Sequence, residues 1–321
     1  MKTPISIVLT LFLLNSIVAE ESAHNYLKPT EKNVVYGMDH GSALLLDVYQ
    51  PENANGYGVV FIMGTGFTAY GEYDDVPLKH LDVTLHLNKV FPNFMGETYQ
   101  LFKPMYDKGF TIFSINHRLA PKFKLPDQIR DAQRAVQFIR YHAEDYGIDP
   151  KKIGGMGHSS GATMIAFLGM LDDIADSDSY DPVHRESSRL QAVVPISGLH
   201  DFHRAATKDT RGTGAFLGTI VGRTISWQPE GHPVYEAYKG ASVIEHVTAD
   251  DARMLIMHGT EDSAVPIWHS EALAAALSEA SVAHEYIALK GATHGSLVEP
   301  IDLVPCDYAA EWMEQALAQA N

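Results

Sequence analysis

One cysteine, Cys306, stands among 321 residues, so no intrachain disulfide can form and stability rests on packing in any compartment. Cys306 follows Leu303-Val304-Pro305 with no base beside it, which suits a structural thiol rather than a nucleophile. Positive charge is also scarce: 24 Lys and Arg face 40 Asp and Glu, for a net charge of -16. A phosphate backbone would be repelled over most of such a surface, which excludes nucleic acid as a partner and favours neutral substrates over polyanions. No internal repeat and no low-complexity linker breaks the chain, so one domain decorated by loops is expected.

Long apolar runs are missing everywhere except at the start. Lys2 precedes a mostly apolar stretch, Ile5 to Val18, and Ala19 precedes Glu20-Glu21, the pattern of a secretory signal. The run is shorter than the roughly 20 apolar residues that span a bilayer, so no stable membrane span is expected. Residues 1-19 are read as a signal peptide, residues 20-321 as the mature domain, and the location as periplasmic or extracellular.

What is present is a chain with 45% hydrophobic residues, enough for a full core, arranged in alternating periods. Val34 to Met38 and Ala43 to Tyr49 flank Asp39-His40-Gly41-Ser42 and predict two strands joined by a turn. Gly58 to Met63, Phe110 to Ile115, Ile153 to His158, Ala192 to Ile196, Met254 to Met257 and His284 to Leu289 predict further strands. Helical spacing appears from Gln128 to Ala143, Ala162 to Leu171, Ile267 to Leu277 and Tyr308 to Leu317. Such alternation implies an α/β fold, a mostly parallel central sheet with helices on both faces. Two stretches lack a period, about 71-96 and 201-246, and read as insertions near the site.

Gly157-His158-Ser159-Ser160-Gly161 matches Gly-x-Ser-x-Gly between a strand and a helix, where the turn projects the serine hydroxyl and crowds out side chains two residues away. A serine hydroxyl needs a base to take its proton and an acid to orient that base. On such a scaffold they follow in the order serine, acid, histidine, each after a late strand. His294, in Gly291-Ala292-Thr293-His294-Gly295, has the right place among sixteen histidines. The acid lies in His258-Gly259-Thr260-Glu261-Asp262, where either carboxylate could orient an imidazole.

Four segments resemble the hormone-sensitive-lipase-like and feruloyl or acetylxylan esterase branches of the α/β-hydrolase superfamily. They are Ile115-Asn116-His117-Arg118-Leu119-Ala120-Pro121, Tyr146-Gly147-Ile148-Asp149-Pro150, the serine motif, and His258 to Asp262 with Val265-Pro266. The similarity spans about residues 33 to 320. It implies the α/β-hydrolase fold, an ester substrate, and Asp262 rather than Glu261 as the acid. It also implies an oxyanion hole built from backbone N–H groups of Ser160 and of the loop after the third strand. There the family commonly carries His-Gly-Gly-Gly, whereas this chain has Met63-Gly64-Thr65-Gly66-Phe67, which puts Thr65 and Gly66 in that role. A β-branched residue serves only at negative φ.

Phe67, Tyr70 and His158 are candidates for the substrate pocket, and Tyr73, Phe91, Phe94, Phe216, Trp227 and Tyr235 for aromatic walls from the insertions. His200-Asp201-Phe202-His203 and the His80 and His86 pair look metal-like, but neither completes a ligand set, so no metal is expected. The expectation is a serine esterase using Ser159, Asp262 and His294, needing no cofactor and acting on a small ester, with sugar or aromatic esters as options. Its rivals are an amidase or peptidase of kynurenine-formamidase-like kind and a non-catalytic binding protein on the same scaffold.

Overall fold

A computed structural model of the chain describes residues 27-68, 101-208, 213-223, 228-296 and 304-320. The segment read as a signal, residues 1-19, and the expected first insertion, about 71-96, lie outside the described residues.

Eight strands form one sheet in the order β1-β2-β4-β3-β5-β6-β7-β8. The first pair, β1 (Glu31–Asp39) and β2 (Ser42–Tyr49), is antiparallel and joined by His40 and Gly41, both at positive φ (47° and 77°). That is the turn whose twist matches the strands it connects. β2 runs antiparallel to β4 (Thr111–Ile115), and every later pairing is parallel: β4 with β3 (Gly58–Ile62), then β5 (Ile153–His158), β6 (Ala192–Ile196), β7 (Arg253–Gly259) and β8 (His284–Leu289). The residues of β3 to β6 are buried throughout, which is why those strands read as unbroken apolar or glycine-bearing runs.

The helices divide between the two faces. α1 (Lys103–Asp107) and the C-terminal α8 (Val304–Ala318) cover one, where Phe61, Phe102, Met156, Met257, Cys306 and Met313 share a core. α2 (Leu125–Tyr141), α3 (Ser160–Met170) and α7 (Trp268–Glu279) cover the other with Val60, Phe113, Ile165, Val193 and Leu273. Cys306 is buried in the first of these cores.

α2 begins at Leu125, three residues before the period becomes visible. Pro126 fits a first helical turn, where its missing N–H costs nothing, and the Asp127 carboxylate accepts the Lys124 N–H at 3.0 Å. The stretch 201-246 is not irregular either. It holds α4 (Phe202–Lys208), α5 (Thr213–Val221), α6 (Pro233–Gly240) and a 3-10 turn at Val243–His246, too short for a helical period to stand out. Phe202, Leu217, Ile220 and Tyr238 join the core shared with α2 and α3, so this insertion packs onto the domain.

Candidate active site

β5 ends in a reversal with no slack. Ser159 adopts φ 55° and ψ -123°, a conformation that costs a non-glycine residue and is held by its own N–H to the Ile196 carbonyl at 2.9 Å. Gly161 is required, because a Cβ there would stand 2.0 Å from the Ile62 carbonyl oxygen; at Gly157 it would stand 2.5 Å from the Gly161 carbonyl oxygen. The turn leaves Ser159 half-buried between β5 and α3, at the carboxyl ends of the parallel strands.

The loops after β7 and β8 bring two more side chains to it. His294 Nε2 lies 3.0 Å from Ser159 Oγ, and His294 Nδ1 lies 2.7 Å from Asp262 Oδ2. Asp262 Oδ1 accepts the N–H groups of Ala264 and Val265 at 2.9 and 2.8 Å, which fixes the plane of the carboxylate. Burial raises its proton affinity, but hydrogen bonds from His258, His294 and the Val265 N–H outweigh that and hold it well below the usual carboxylate range. Glu261 is exposed, so of the two adjacent carboxylates Asp262 is the one that meets His294.

Thr65 keeps φ out of the left-handed region, which Gly66 and Phe67 adopt at 63° and 64°. Its N–H, expected as an oxyanion donor, is instead taken by Ser160 Oγ at 2.8 Å, because the motif carries a second hydroxyl beside the nucleophile. Among the described residues the N–H groups of Gly66 and Ser160 have no such partner. The loop is anchored from behind, where the Phe67 carbonyl accepts the Ala120 N–H at 2.9 Å and Gln128 Nε2 at 3.0 Å. The segment around Asn116 to Ala120 therefore supports the site. Asn116 Oδ1 extends the sheet by accepting the Leu45 N–H, and Arg118 is buried against Asp131 at 2.8 Å and reaches Asp39 at 2.7 Å.

Two of the three pocket candidates have other work. Phe67 is 3% exposed and packs edge-on to Phe202. His158, 4% exposed, donates Nε2–H to the His294 carbonyl at 2.9 Å with its ring 4.9 Å from that of His294. Burial, then the nearness of His294, push its pKa down to about 3, so the ring is neutral. Tyr70 lies outside the described residues, as do Tyr73, His80, His86, Phe91, Phe94 and Trp227. Of the metal-like run, Asp201 caps α4 through the Arg204 N–H at 2.8 Å and His203 packs on Tyr235. Phe216 on α5 is exposed and close to the Gly66 loop: a Cβ on Gly66 would lie 3.7 Å from its ring. His258, fully buried beside Asp262, is a site residue that the sequence left unassigned. Its position four residues before the acid was the available signal.

The strand order, with a strained serine after β5 and a histidine and a carboxylate after the last two strands, defines an α/β-hydrolase. The BD-FAE family matches residues 87-277, more than half of the chain, and the chain belongs to that family. The match includes Ser159 and Asp262 and stops short of His294.

Among curated proteins, a probable carboxylic ester hydrolase, LipM of Mycobacterium tuberculosis, is 27% identical over 63% of this chain and 49% of its own. The probable isoprenylcysteine alpha-carbonyl methylesterase ICMEL1 of Arabidopsis thaliana is 24% identical over 89% of this chain and 55% of its own. The chain spans about half the length of the curated relatives it matches. Among solved structures, a truncated carbohydrate esterase from gut microbiota superposes with a TM-score of 0.72 at 23% identity, covering 92% of this chain and 99% of that one. An acetyl ester-xyloside bifunctional hydrolase from Caldicellulosiruptor lactoaceticus gives 0.65 at 22% identity over 90% and 97%. At such identities the likeness speaks for the fold.

Proposed function

We propose that this chain is a serine hydrolase of carboxylic esters, with Ser159 as nucleophile, His294 as general base and acid, and Asp262 as the group that orients the imidazole. The observation that carries the reading is the unbroken hydrogen-bond series Ser159–His294–Asp262 at a strained elbow. Asp262 accepts at Nδ1, so Nδ1 carries the proton and Nε2 is left to take the serine proton as Oγ attacks the ester carbonyl. The N–H groups of Ser160 and Gly66 receive the oxyanion, Thr65 being the tether. His294 then protonates the leaving alcohol, and water releases the acid by the same steps in reverse.

The substrate we infer is a short acyl ester of about two to six carbons, because each buried methylene contributes about 0.8 kcal/mol while one that meets a wall costs about 1 to 3 kcal/mol. Phe216 beside the Gly66 loop supplies such a wall. The names of the similar solved structures favour an acetylated sugar as the ester, with the sugar as its alcohol side. Export follows from residues 1-19 and is checked by the N-terminal mass of the protein made in a secreting host. Rates on p-nitrophenyl acetate, acetylated xylose and the matching anilide test the reading. Ester turnover far above amide turnover supports it, and cleavage of the anilide alone contradicts it.

A further inference from the structure

Asp262 receives more donors than the orientation of one imidazole requires. Oδ1 is filled by two backbone N–H groups and Oδ2 by His294. A second imidazole reaches the same oxygen: His258 Nε2 lies 3.4 Å from Asp262 Oδ2 and 2.9 Å from the Val265 carbonyl. A carbonyl oxygen only accepts, so Nε2 carries a proton, aimed at Val265 and shared with the carboxylate; Nδ1 lies 2.7 Å from the buried Ser270 hydroxyl. The His258 ring is thereby held from both sides. Val265 is held twice, its N–H on the carboxylate and its carbonyl on His258.

We propose that His258 is a positioning residue: its Nε2–H, locked in place by Ser270, clamps the Asp262 carboxylate and the Val265 turn against His294 and tempers the carboxylate's pull on the His294 proton. The proposal rests on Ser159, His294 and Asp262 being the catalytic series. A donor to a carboxylate favours its charged form, so the carboxylate becomes more basic when that donor is removed. A more basic Asp262 holds the His294 imidazolium more tightly, and the imidazole titrates at higher pH. Released from one side, the carboxylate can also turn, and a misplacement of about 1 Å near reacting groups costs about 10²-fold. The remaining titratable groups here are His158, whose ring packs on His294, and His200 and His269 beyond His258; burial keeps His158 and His200 neutral.

Three variants separate this role from mere filling of space. His258→Phe keeps a ring and removes the donor, His258→Gln keeps a donor near the position of Nε2, and Ser270→Ala frees the far nitrogen of the ring while changing the cluster's volume less. Each is read by imidazole NMR titration of His294, which needs no turnover, and by kcat on p-nitrophenyl acetate across pH. The expected result for His258→Phe is a His294 pKa and acidic limb raised by about half a unit or more, within the range that neighbours impose on histidines, with kcat down about 10²-fold. Gln should restore most of both, and Ser270→Ala should shift the titration the same way by less. An unmoved His294 titration in His258→Phe, or Gln no better than Phe, overturns the proposal. If the Phe variant does not fold, an unmoved titration in Ser270→Ala does so. A shifted titration in a protein that turns over no ester supports the clamp and instead contradicts the catalytic reading.

Discussion

Replacing Asp262 by Asn exchanges one oxygen for an amide NH₂, and the structure dictates which one. Two N–H groups, from Ala264 and Val265, point at Oδ1, so the amide oxygen of Asn must take that place. Its NH₂ then falls at Oδ2, facing His294 Nδ1 at the present 2.7 Å and His258 Nε2 at 3.4 Å. A donor now meets Nδ1, His294 must put its proton on Nε2, and no base remains for Ser159. The same tautomer reversal in a triad aspartate is worth about 10⁴ in kcat, or about 5 kcal/mol at 1.36 kcal/mol per decade. Glu261→Gln changes an exposed side chain and should stay within about threefold, as surface substitutions do. Initial rates on p-nitrophenyl acetate, with melting curves to establish folding, decide it. A folded Asp262→Asn enzyme keeping a tenth of the rate, or a larger loss in Glu261→Gln, refutes the orientation argument.

Phe216→Ala should raise kcat/KM for eight-carbon p-nitrophenyl esters about tenfold while acetate changes less than about threefold, since lifting a steric cost of 1 to 3 kcal/mol helps only chains that reach the wall; a parallel change across the chain-length series would remove Phe216 from the pocket. His158 is neutral when folded, with a pKa near 3 against about 6.5 unfolded. The unfolded chain therefore binds the proton first, and the stability carried by the neutral ring is present above about pH 6.5 and lost as pH falls toward 3. His158→Phe should flatten the unfolding free energy measured by urea titration across that window, while costing stability at pH 8 because the His294 carbonyl loses its donor; an unchanged slope would show that His158 does not titrate between the two states.

The parallel strands were legible because a buried strand in this layout is a short apolar run with glycine at its end, as in Ile153 to His158. The serine motif was legible because its glycines answer backbone contacts of 2.0 and 2.5 Å that no other residue survives. Asp262 could be told from Glu261 only by resemblance, since the choice depends on which way a loop faces. The helices of 201-246 escaped because α4, α5 and α6 are 7, 9 and 8 residues long, about two turns each. That the Thr65 N–H meets Ser160 Oγ was not legible, because it depends on the Ser160 rotamer, which no spacing encodes. His258 was passed over for a like reason, as its partners Ser270 and Asp262 meet only when the turn after β7 closes.

The central claim is that Ser159 is a nucleophile activated by His294, and covalent labelling by a fluorophosphonate probe tests it most directly. Intact mass and peptide mapping should find one adduct, on Ser159, formed rapidly in the wild-type chain and lost in both Ser159→Ala and His294→Ala while each variant still melts cooperatively. Labelling at another residue, or a folded wild-type protein that takes up no probe, would contradict it.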